Sequence, residues 1–188
     1  GDLYAACMDE KAVERAGLAP LASFLTQIAA VEDAASLQQA ITSLHDVGIN
    51  VFWDATSTLD LKNSQRQIAV IVPSGLTLPD RDFYMREDSE SAGLRQAYVA
   101  HVAAMFALAG EPRDAAGSDA RSVLVVETAM AQPLLTRVER RNPNKVYHPL
   151  DRSGLATDAP HIDWERYFQQ RDFPAFSDLN LSQPRYLE

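Results

Sequence analysis

The stretch Gly75-Leu76-Thr77-Leu78-Pro79-Asp80-Arg81-Asp82-Phe83-Tyr84-Met85 divides the chain into two differently patterned parts. Pro79 prevents a helix from running through it, because the proline ring fixes φ and removes a backbone donor. Asp80 and Asp82 flank Arg81, which suits a tight turn whose carboxylates accept local backbone N–H groups. Two carboxylates this close are also compatible with a catalytic acid pair. We favour the turn and predict a rigid, braced junction between two helical layers.

Three short amphipathic helices are predicted before the junction. The first covers residues 2–16, the second follows Pro20, and the third is capped by Asp33 or Ser36 and ends at Gly48. Their apolar stripes are Leu3, Tyr4, Cys7 and Met8; Leu21, Phe24, Leu25, Ile28 and Val31; and Leu37, Ile41, Leu44 and Val47. The connections are short, so we expect antiparallel packing with these stripes in the core.

The sequence pattern then changes to that of strands. Residues 51–53 and 68–72 are rich in β-branched and aromatic side chains, which favour strands. We predict a β-hairpin over about residues 51–72, with residues 57–64 as a long polar loop. The predicted fold class is therefore mainly α, a multi-helical domain with one β-hairpin.

Three polar residues of this region raise the question of a calcium site. Asp54, Asp60 and Asn63 carry oxygen ligands of the kind that calcium prefers. They lack the spacing of a calcium-binding loop and its closing glutamate. A solvated loop is therefore the better interpretation.

Two long helices are predicted after the junction. The first starts at Ser89 or Ser91, and His101 borders its apolar stripe, where a hydrogen-bonded core histidine is commoner than a metal ligand. The second covers about residues 119–135, and Glu127 lies on its apolar face. A carboxylate there must be paired or must shift its pKa. We predict that Glu127 is buried against an Arg, a His or a Tyr hydroxyl, and we favour a structural ion pair over an active-site acid.

The C-terminal third offers weaker signals. Arg140-Arg141 are read either as a fork for a peptide carboxylate or as an ion-pair brace between helices, and we favour the brace. Asp163 should cap a last short helix whose Trp164, Tyr167 and Phe168 pack inward. Residues 178–188 contain strand-like side chains without an evident partner. Asn180-Leu181-Ser182 matches a glycosylation acceptor, a triplet that is common by chance.

Composition limits the classes of function. The 188 residues carry a net charge of −9, which argues against nucleic acid or an anionic membrane as a partner. Hydrophobic residues make up 46%, enough for a packed core. No apolar run approaches the roughly 20 residues of a membrane span. Cys7 is the single cysteine, so no internal disulfide forms, and we expect a small buried side chain rather than a reactive thiol.

Several motifs together resemble one family. Residues 78–84, Leu-Pro-Asp-Arg-Asp-Phe-Tyr, are similar to the LPDRDYY signature of the neprilysin and endothelin-converting-enzyme family of zinc metallopeptidases. Further matches keep the order and spacing of that family, and they are Tyr4 to Asp9, Tyr98 to Val102 with Ala109-Gly110, Val126 to Ala131, and Val138 to Pro143. The resemblance runs from about Leu3 to Leu187. One departure is Tyr147-His148, where the family usually has Tyr-Asn.

The resemblance implies a zinc endopeptidase, whose zinc sites need a His-Glu-x-x-His helix and a third ligand. This chain contains His45, His101, His148 and His161, no two of them four residues apart. In the family those motifs lie beyond the matched region. No catalytic, cofactor-binding or metal-binding residue is therefore assigned within residues 1–188, and zinc is implied for a longer parent.

The family's architecture implies a role for such a segment. It has a zinc lobe and a mostly helical lobe around a closed cavity, which admits peptides and excludes folded proteins. Residues 1–188 resemble part of the helical lobe of a bacterial, neprilysin-like member, without the catalytic zinc lobe. Its partners would be that zinc lobe and peptide substrates, in a periplasmic or otherwise extracytoplasmic parent. The alternative is an autonomous helical module that binds a peptide or protein without catalysis.

Overall fold

The structure is a computed structural model that describes all 188 residues, with ten α-helices and four β-strands. The helices are α1 (Asp2–Cys7), α2 (Glu10–Ala16), α3 (Ala22–Ala29), α4 (Ala34–Asp46), α5 (Asp82–Met85), α6 (Ser89–Leu108), α7 (Arg113–Ala131), α8 (Arg137–Arg140), α9 (Arg152–Asp158) and α10 (Trp164–Gln170). The strands are β1 (Trp53–Asp60), β2 (Asn63–Pro73), β3 (Pro149–Asp151) and β4 (Asp178–Leu181). The mainly α fold class is confirmed.

The strands form one four-stranded sheet in the order β1-β2-β4-β3. β1 and β2 are the predicted antiparallel hairpin, with Trp53 opposite Pro73. β2 also pairs in parallel with β4, where Ala69 lies opposite Leu179, and β3 completes the sheet beside β4. The strand-like tail therefore belongs to the same sheet as the hairpin. Its pairing could not be foreseen from local pattern, because the partners are more than 100 residues apart.

The prediction of a long polar loop over residues 57–64 is wrong. β1 continues to Asp60 and β2 begins at Asn63, which leaves a two-residue turn. The Asp60 carboxylate accepts the Lys62 N–H at 2.9 Å and pairs with Arg66 at 3.2 Å. Serine and threonine side chains before the turn lie exposed on an edge strand, where β-branched threonine is favoured despite its polarity. Asp60, one of the three residues that raised the question of a calcium site, thus stabilises the turn and forms an ion pair.

The main core lies between the sheet and helices α4, α9 and α10. Its buried members include Ile41 of α4, Leu155 of α9 and Leu179 of β4. The predicted inward-facing residues of α10, Trp164, Tyr167 and Phe168, are all buried here. Asp163 caps α10 as predicted, by accepting the Arg166 N–H at 3.1 Å.

His45 is buried against this core, with 1% of its surface exposed. Its Nε2 lies 2.9 Å from the Val51 carbonyl oxygen, which can only accept, so Nε2 carries a proton. Its Nδ1 lies 2.8 Å from the Tyr167 hydroxyl and accepts from it when the ring is neutral. Arg171 donates to the Tyr167 oxygen at 2.9 Å. Burial lowers the pKa of His45, and Arg171 lowers it further, against the raising effect of the Val51 carbonyl.

We expect the protein to lose stability as the pH falls below about 6.5, where unfolded histidine takes up a proton that buried His45 resists. Because the folded-state pKa of His45 is the lower one, its contribution is complete above pH 6.5. It should fall by up to roughly 1.4 kcal/mol per pH unit below that value. Asp46 and Asp54 face the ring and moderate the loss. Denaturant titrations at pH 7.5, 6.5 and 5.5 measure it.

The matched variants are His45→Gln and His101→Gln, the second at an exposed histidine of α6. His45→Gln should lower stability at pH 7.5 and flatten its dependence between pH 6.5 and 5.5. His101→Gln should change neither. If the slope is the same in all three proteins, another group is responsible for it.

The N-terminal helices differ from prediction. The helix predicted over residues 2–16 is broken into α1 and α2, because the Asp9 carboxylate accepts the Ala12 N–H at 2.9 Å and starts a new helix. The stripe expected in the core is exposed, with Leu3 at 81% and Met8 at 59%. Cys7 is exposed too, so the expectation of an inaccessible thiol is wrong.

The two long helices pack against each other and against α5 around a second, smaller core. Its buried residues are Leu78, Tyr84, Tyr98 and Ala131. α6 starts at Ser89, as predicted, and is capped by Asp88, whereas α7 starts six residues before residue 119, at Arg113. α7 ends at Ala131, two residues before Pro133, whose ring prevents a further helical turn.

Candidate functional site

The central junction connects the sheet to the helices α5, α6 and α7. The chain leaves β2 at Pro73 and turns at Gly75, whose φ is +86°. A Cβ at Gly75 would lie 2.7 Å from the Phe52 nitrogen, so glycine is required by both conformation and space. Pro79 then precedes the short helix α5, which returns the chain to the second core.

Asp80 is the brace of this junction. Its Oδ2 accepts Arg137 Nε at 3.0 Å and Arg140 Nη2 at 2.7 Å, while Oδ1 accepts the Asp82 N–H at 3.1 Å. Burial by itself raises the pKa of this carboxyl, but the Asp82 N–H and the two guanidinium groups outweigh it, so the pKa lies below its ordinary value. The predicted hydrogen bond from a nearby backbone N–H is confirmed. Arg140 acts as the predicted brace, and Arg141 is exposed.

We expect Asp80→Ala to destabilise the protein by roughly 1–3 kcal/mol, because it removes the acceptor of a buried backbone N–H and of two guanidinium groups. Both arginines are partly exposed and can turn to water, which keeps the loss moderate. Asp82→Ala is the matched control, since that side chain is 45% exposed, and its effect should stay below about 0.5 kcal/mol. Equal losses of unfolding free energy in urea titrations would contradict the assignment.

Glu127 is buried, as predicted, with 6% of its surface exposed. Its Oε1 accepts the Thr77 hydroxyl and its Oε2 accepts the Tyr84 hydroxyl, both at 2.8 Å. The Tyr84 oxygen in turn accepts the Leu78 N–H at 2.8 Å. The predicted tyrosine partner is confirmed, whereas the favoured ion pair is wrong, because both donors are neutral hydroxyls. Burial, and then the adjacent Glu127, raise the pKa of Tyr84.

The two carboxylates therefore tie the Thr77–Tyr84 segment to α7 and α8. Each oxygen of Asp80 and Glu127 already accepts a hydrogen bond from the chain itself. A general acid or base must reach a substrate proton within hydrogen-bond distance. Neither carboxyl has a free oxygen for that, so the braced junction explains the motif better than a catalytic acid pair.

The four histidines do not come together. His45 is engaged on both ring nitrogens, and His148 Nδ1 lies 3.1 Å from the Leu181 carbonyl oxygen. His101 and His161 are exposed in separate helical regions, so the expected core position of His101 is wrong. No group of three His, Cys, Asp or Glu side chains is placed to hold a metal ion. The residues of this chain do not fit a zinc site.

The asparagine of the glycosylation triplet is part of the folded core of the sheet. Asn180 is buried in β4, where its Oδ1 accepts the His148 N–H at 2.7 Å and its Nδ2 donates to the Val146 carbonyl at 2.9 Å. Its amide joins β4 to the segment before β3. That structural role leaves no room for a glycan on the folded chain.

An apolar groove between α4 and α7 was missed by sequence analysis. It consists of two adjoining cavities of about 330 and 410 Å³, which share Leu37, Ile41, Phe52 and Met130. Tyr186 and Leu187, at the C-terminal end of the chain, line the first cavity. The apolar stripes of α4 and α7 were visible in the sequence, but their periodicity does not tell a covered stripe from an open one.

All 188 residues match the family model described as Peptidase family M13. The chain therefore belongs to peptidase family M13. The resemblance to neprilysin and endothelin-converting enzyme is thereby confirmed.

Individual relatives agree with this assignment. Endothelin-converting enzyme 1 of Cavia porcellus is 26% identical over 190 aligned positions, which cover 96% of this chain and 24% of that protein. Neprilysin-3 of Drosophila melanogaster is 25% identical and is covered over 22% of its length. The crystal structure of the zinc metalloprotease Zmp1 of Mycobacterium tuberculosis, in complex with an inhibitor, superposes with a TM-score of 0.90 at 32% identity, over all of this chain and 29% of that one.

The chain thus spans less than a third of the length of these relatives. Separately, none of its helices is both long and apolar enough to cross a membrane.

Proposed function

We propose that residues 1–188 form a non-catalytic part of the helical lobe of a zinc metalloendopeptidase. This lobe closes a central cavity and restricts substrates to peptides. The observation that carries the proposal is the match to the M13 family over the whole chain, which covers only 29% of a solved zinc metalloprotease. The residues described above do not assemble a metal site, so zinc and the reacting groups would come from another part of the parent polypeptide. We place the parent outside the cytoplasm and expect it to act on peptides, as the resemblance to neprilysin and endothelin-converting enzyme implies.

The distribution of apolar side chains supports a lobe that packs against further protein. Exposed large hydrophobic residues concentrate on the N-terminal helices and on the neighbouring faces of α4 and α7. They include Leu3, Tyr4, Met8, Val13, Leu25, Ile28, Leu37, Val47, Val125 and Val126. Soluble proteins rarely leave contiguous apolar patches of this extent uncovered, and such patches mark interaction surfaces. Within a two-lobed enzyme they would be covered by the rest of the polypeptide.

The contribution of such a lobe to catalysis is steric and dielectric. A closed cavity excludes bulk water, which strengthens electrostatic interactions around the reacting bond. The junction suits a rigid wall, because Asp80 and Glu127 connect the segment after the sheet and α5 to α7 and α8 through short hydrogen bonds. A wall of fixed shape admits a flexible peptide and rejects a folded protein.

The apolar groove favours a second candidate, an autonomous module that binds an amphipathic helix of a partner. Its adjoining cavities are lined mainly by hydrophobic side chains between two helices, a geometry used for helix-in-groove recognition. This candidate requires the groove to remain open in the whole protein. If the chain is part of a two-lobed enzyme, we expect another part of the polypeptide to cover the groove.

The test compares the full-length protein with this chain. The full-length protein should contain a His-Glu-x-x-His motif, bind one zinc ion, and cleave an unstructured peptide of about 15 residues but not a folded protein that contains the same sequence. Residues 1–188 alone should bind no zinc tightly after chelation and reloading, and should show no chelator-sensitive cleavage. Tight zinc binding by the segment would overturn the proposal. A full-length protein without a zinc motif would favour the binding module.

A further inference from the structure

A small polar cavity lies beside the central junction. It has a volume of about 210 Å³ and is bordered by the segment that follows β2, the connection between α7 and α8, and the turn after β4. Its polar lining includes Ser74, Asp80, Arg81, Arg140 and Gln183. Pockets for whole small molecules usually measure about 300–1,000 Å³, so this cavity suits a single functional group.

The cavity has a surplus of positive charge. Two of its lining residues, Arg81 and Arg140, are cationic, and Asp80 is the one acid among them. That acid is already engaged by Arg137, Arg140 and the Asp82 N–H, so it has little capacity left to neutralise another guanidinium. Arg81 is therefore not balanced by the carboxylate next to it.

Arg81 itself has one weak acceptor. Its side chain is only 24% exposed, and its Nε is fully buried without a hydrogen-bond partner. Its one ion pair joins Nη1 to Asp82 Oδ1 at 3.4 Å, and the Asp82 side chain is 45% exposed. A guanidinium carries five N–H donors and matches a carboxylate through two parallel hydrogen bonds. A mostly buried guanidinium with an unused Nε is thus short of an acidic partner.

Gln183 adds a donor of fixed orientation. Its Oε1 accepts the Leu135 N–H at 2.7 Å, which identifies the oxygen and leaves the amide NH₂ group as the free end. The cavity consequently offers N–H donors from Arg81, Arg140 and Gln183, while its one acidic side chain is occupied. Such a lining selects for an anion with two coplanar oxygens.

We propose that this cavity is a carboxylate-binding site with Arg81 as its principal ligand. The carboxylate is supplied either by an acidic residue elsewhere in the parent polypeptide, or by a peptide that carries a free C-terminus or an acidic side chain. The peptide source rests on the proposed function, whereas the site itself does not. In either case a bound carboxylate would neutralise Arg81 and tighten the junction.

The experiment uses full-length protein labelled with ¹⁵N-arginine, with acetate as the probe and acetamide as its neutral match. The Arg81 Nε–H resonance is assigned by its loss in Arg81→Met. For an external carboxylate, acetate should shift this resonance saturably and acetamide should not. In the variants acetate binding is followed through the Nε–H resonance of Arg140, which also lines the cavity. By that measure Arg81→Met should weaken acetate binding by roughly tenfold or more, since a charge-assisted pair is lost. The acetate affinity of Arg81→Lys should lie between those of the unsubstituted protein and Arg81→Met, because lysine keeps the charge but cannot form two parallel hydrogen bonds. Arg141→Met, which changes an exposed arginine next to Arg140, should bind acetate as tightly as the unsubstituted protein.

For an internal carboxylate, the Arg81 Nε–H should exchange slowly with water before any addition and should not respond to acetate. That result supports the site and identifies its source within the protein. Fast exchange with no response to acetate overturns the proposal. So does an acetate response of equal strength in Arg81→Met and the parent, which would indicate an adventitious ion only. Each outcome is independent of zinc-dependent peptide cleavage, so failure here leaves the proposed function standing.

Discussion

Glu127→Ala should lower the free energy of unfolding by roughly 2–4 kcal/mol. The substitution removes the carboxylate that accepts from the Thr77 and Tyr84 hydroxyls, and these donors lose that acceptor beside the second core. Tyr84 is 5% exposed and cannot turn its hydroxyl to water without unpacking. A urea titration at pH 7.5 measures the loss, with circular dichroism to confirm that the variant is folded in the absence of denaturant.

Two variants make this prediction specific. Glu127→Gln keeps one acceptor oxygen and should lose about half as much or less, since the Thr77 or Tyr84 hydroxyl can rotate to accept from the new amide. Glu87→Ala removes an exposed carboxylate near α6 and should change stability by less than about 0.5 kcal/mol. A loss for Glu127→Ala no larger than that for Glu87→Ala would show that the network does not stabilise the junction.

The position of Glu127 illustrates what the sequence can predict. Its burial follows from helical periodicity, because it shares the apolar face of α7 with neighbours three and four residues away. Tyr84 as its partner does not follow, since the two are 43 residues apart and meet only when α5 folds back on α7. Local pattern establishes that a buried acid needs a donor, and tertiary structure decides which donor it meets.

The errors have the same origin. Residues 57–64 are mostly polar, and local composition predicted a loop, although hydrogen bonds to β2 hold residues 57–60 in an edge strand. Leu3 and Cys7 lie on an apolar stripe that periodicity assigned to a core, but the stripe is exposed in this chain. An amphipathic helix indicates that something covers its apolar face. It does not indicate whether the residues that cover this face belong to these 188 residues. For that reason we propose that the exposed stripe is covered by another part of the parent polypeptide.

The turn at Gly75 is where the sheet connects to the junction, and it leads to the second large prediction. Gly75→Ala should destabilise the protein by roughly 2–5 kcal/mol. A left-handed conformation costs an L-residue about 1–2 kcal/mol, and overpacking adds a further 1–3 kcal/mol. The new Cβ would lie 2.7 Å from the Phe52 nitrogen, a backbone atom that cannot move without disturbing the start of β1. Thermal and urea unfolding measure the change.

Gly48→Ala separates the two contributions. Gly48 has a φ of +81°, nearly that of Gly75 at +86°, but a Cβ there would meet no atom within 4 Å. It should therefore show the conformational penalty alone, about 1–2 kcal/mol. The difference between the two variants isolates the steric overlap with Phe52. If both alanine variants lose the same stability, the close approach at Gly75 relaxes without penalty, and the junction is more pliable than its hydrogen bonds indicate. If Gly75→Ala loses more, the segment that carries the family signature starts from a backbone position that only glycine can occupy.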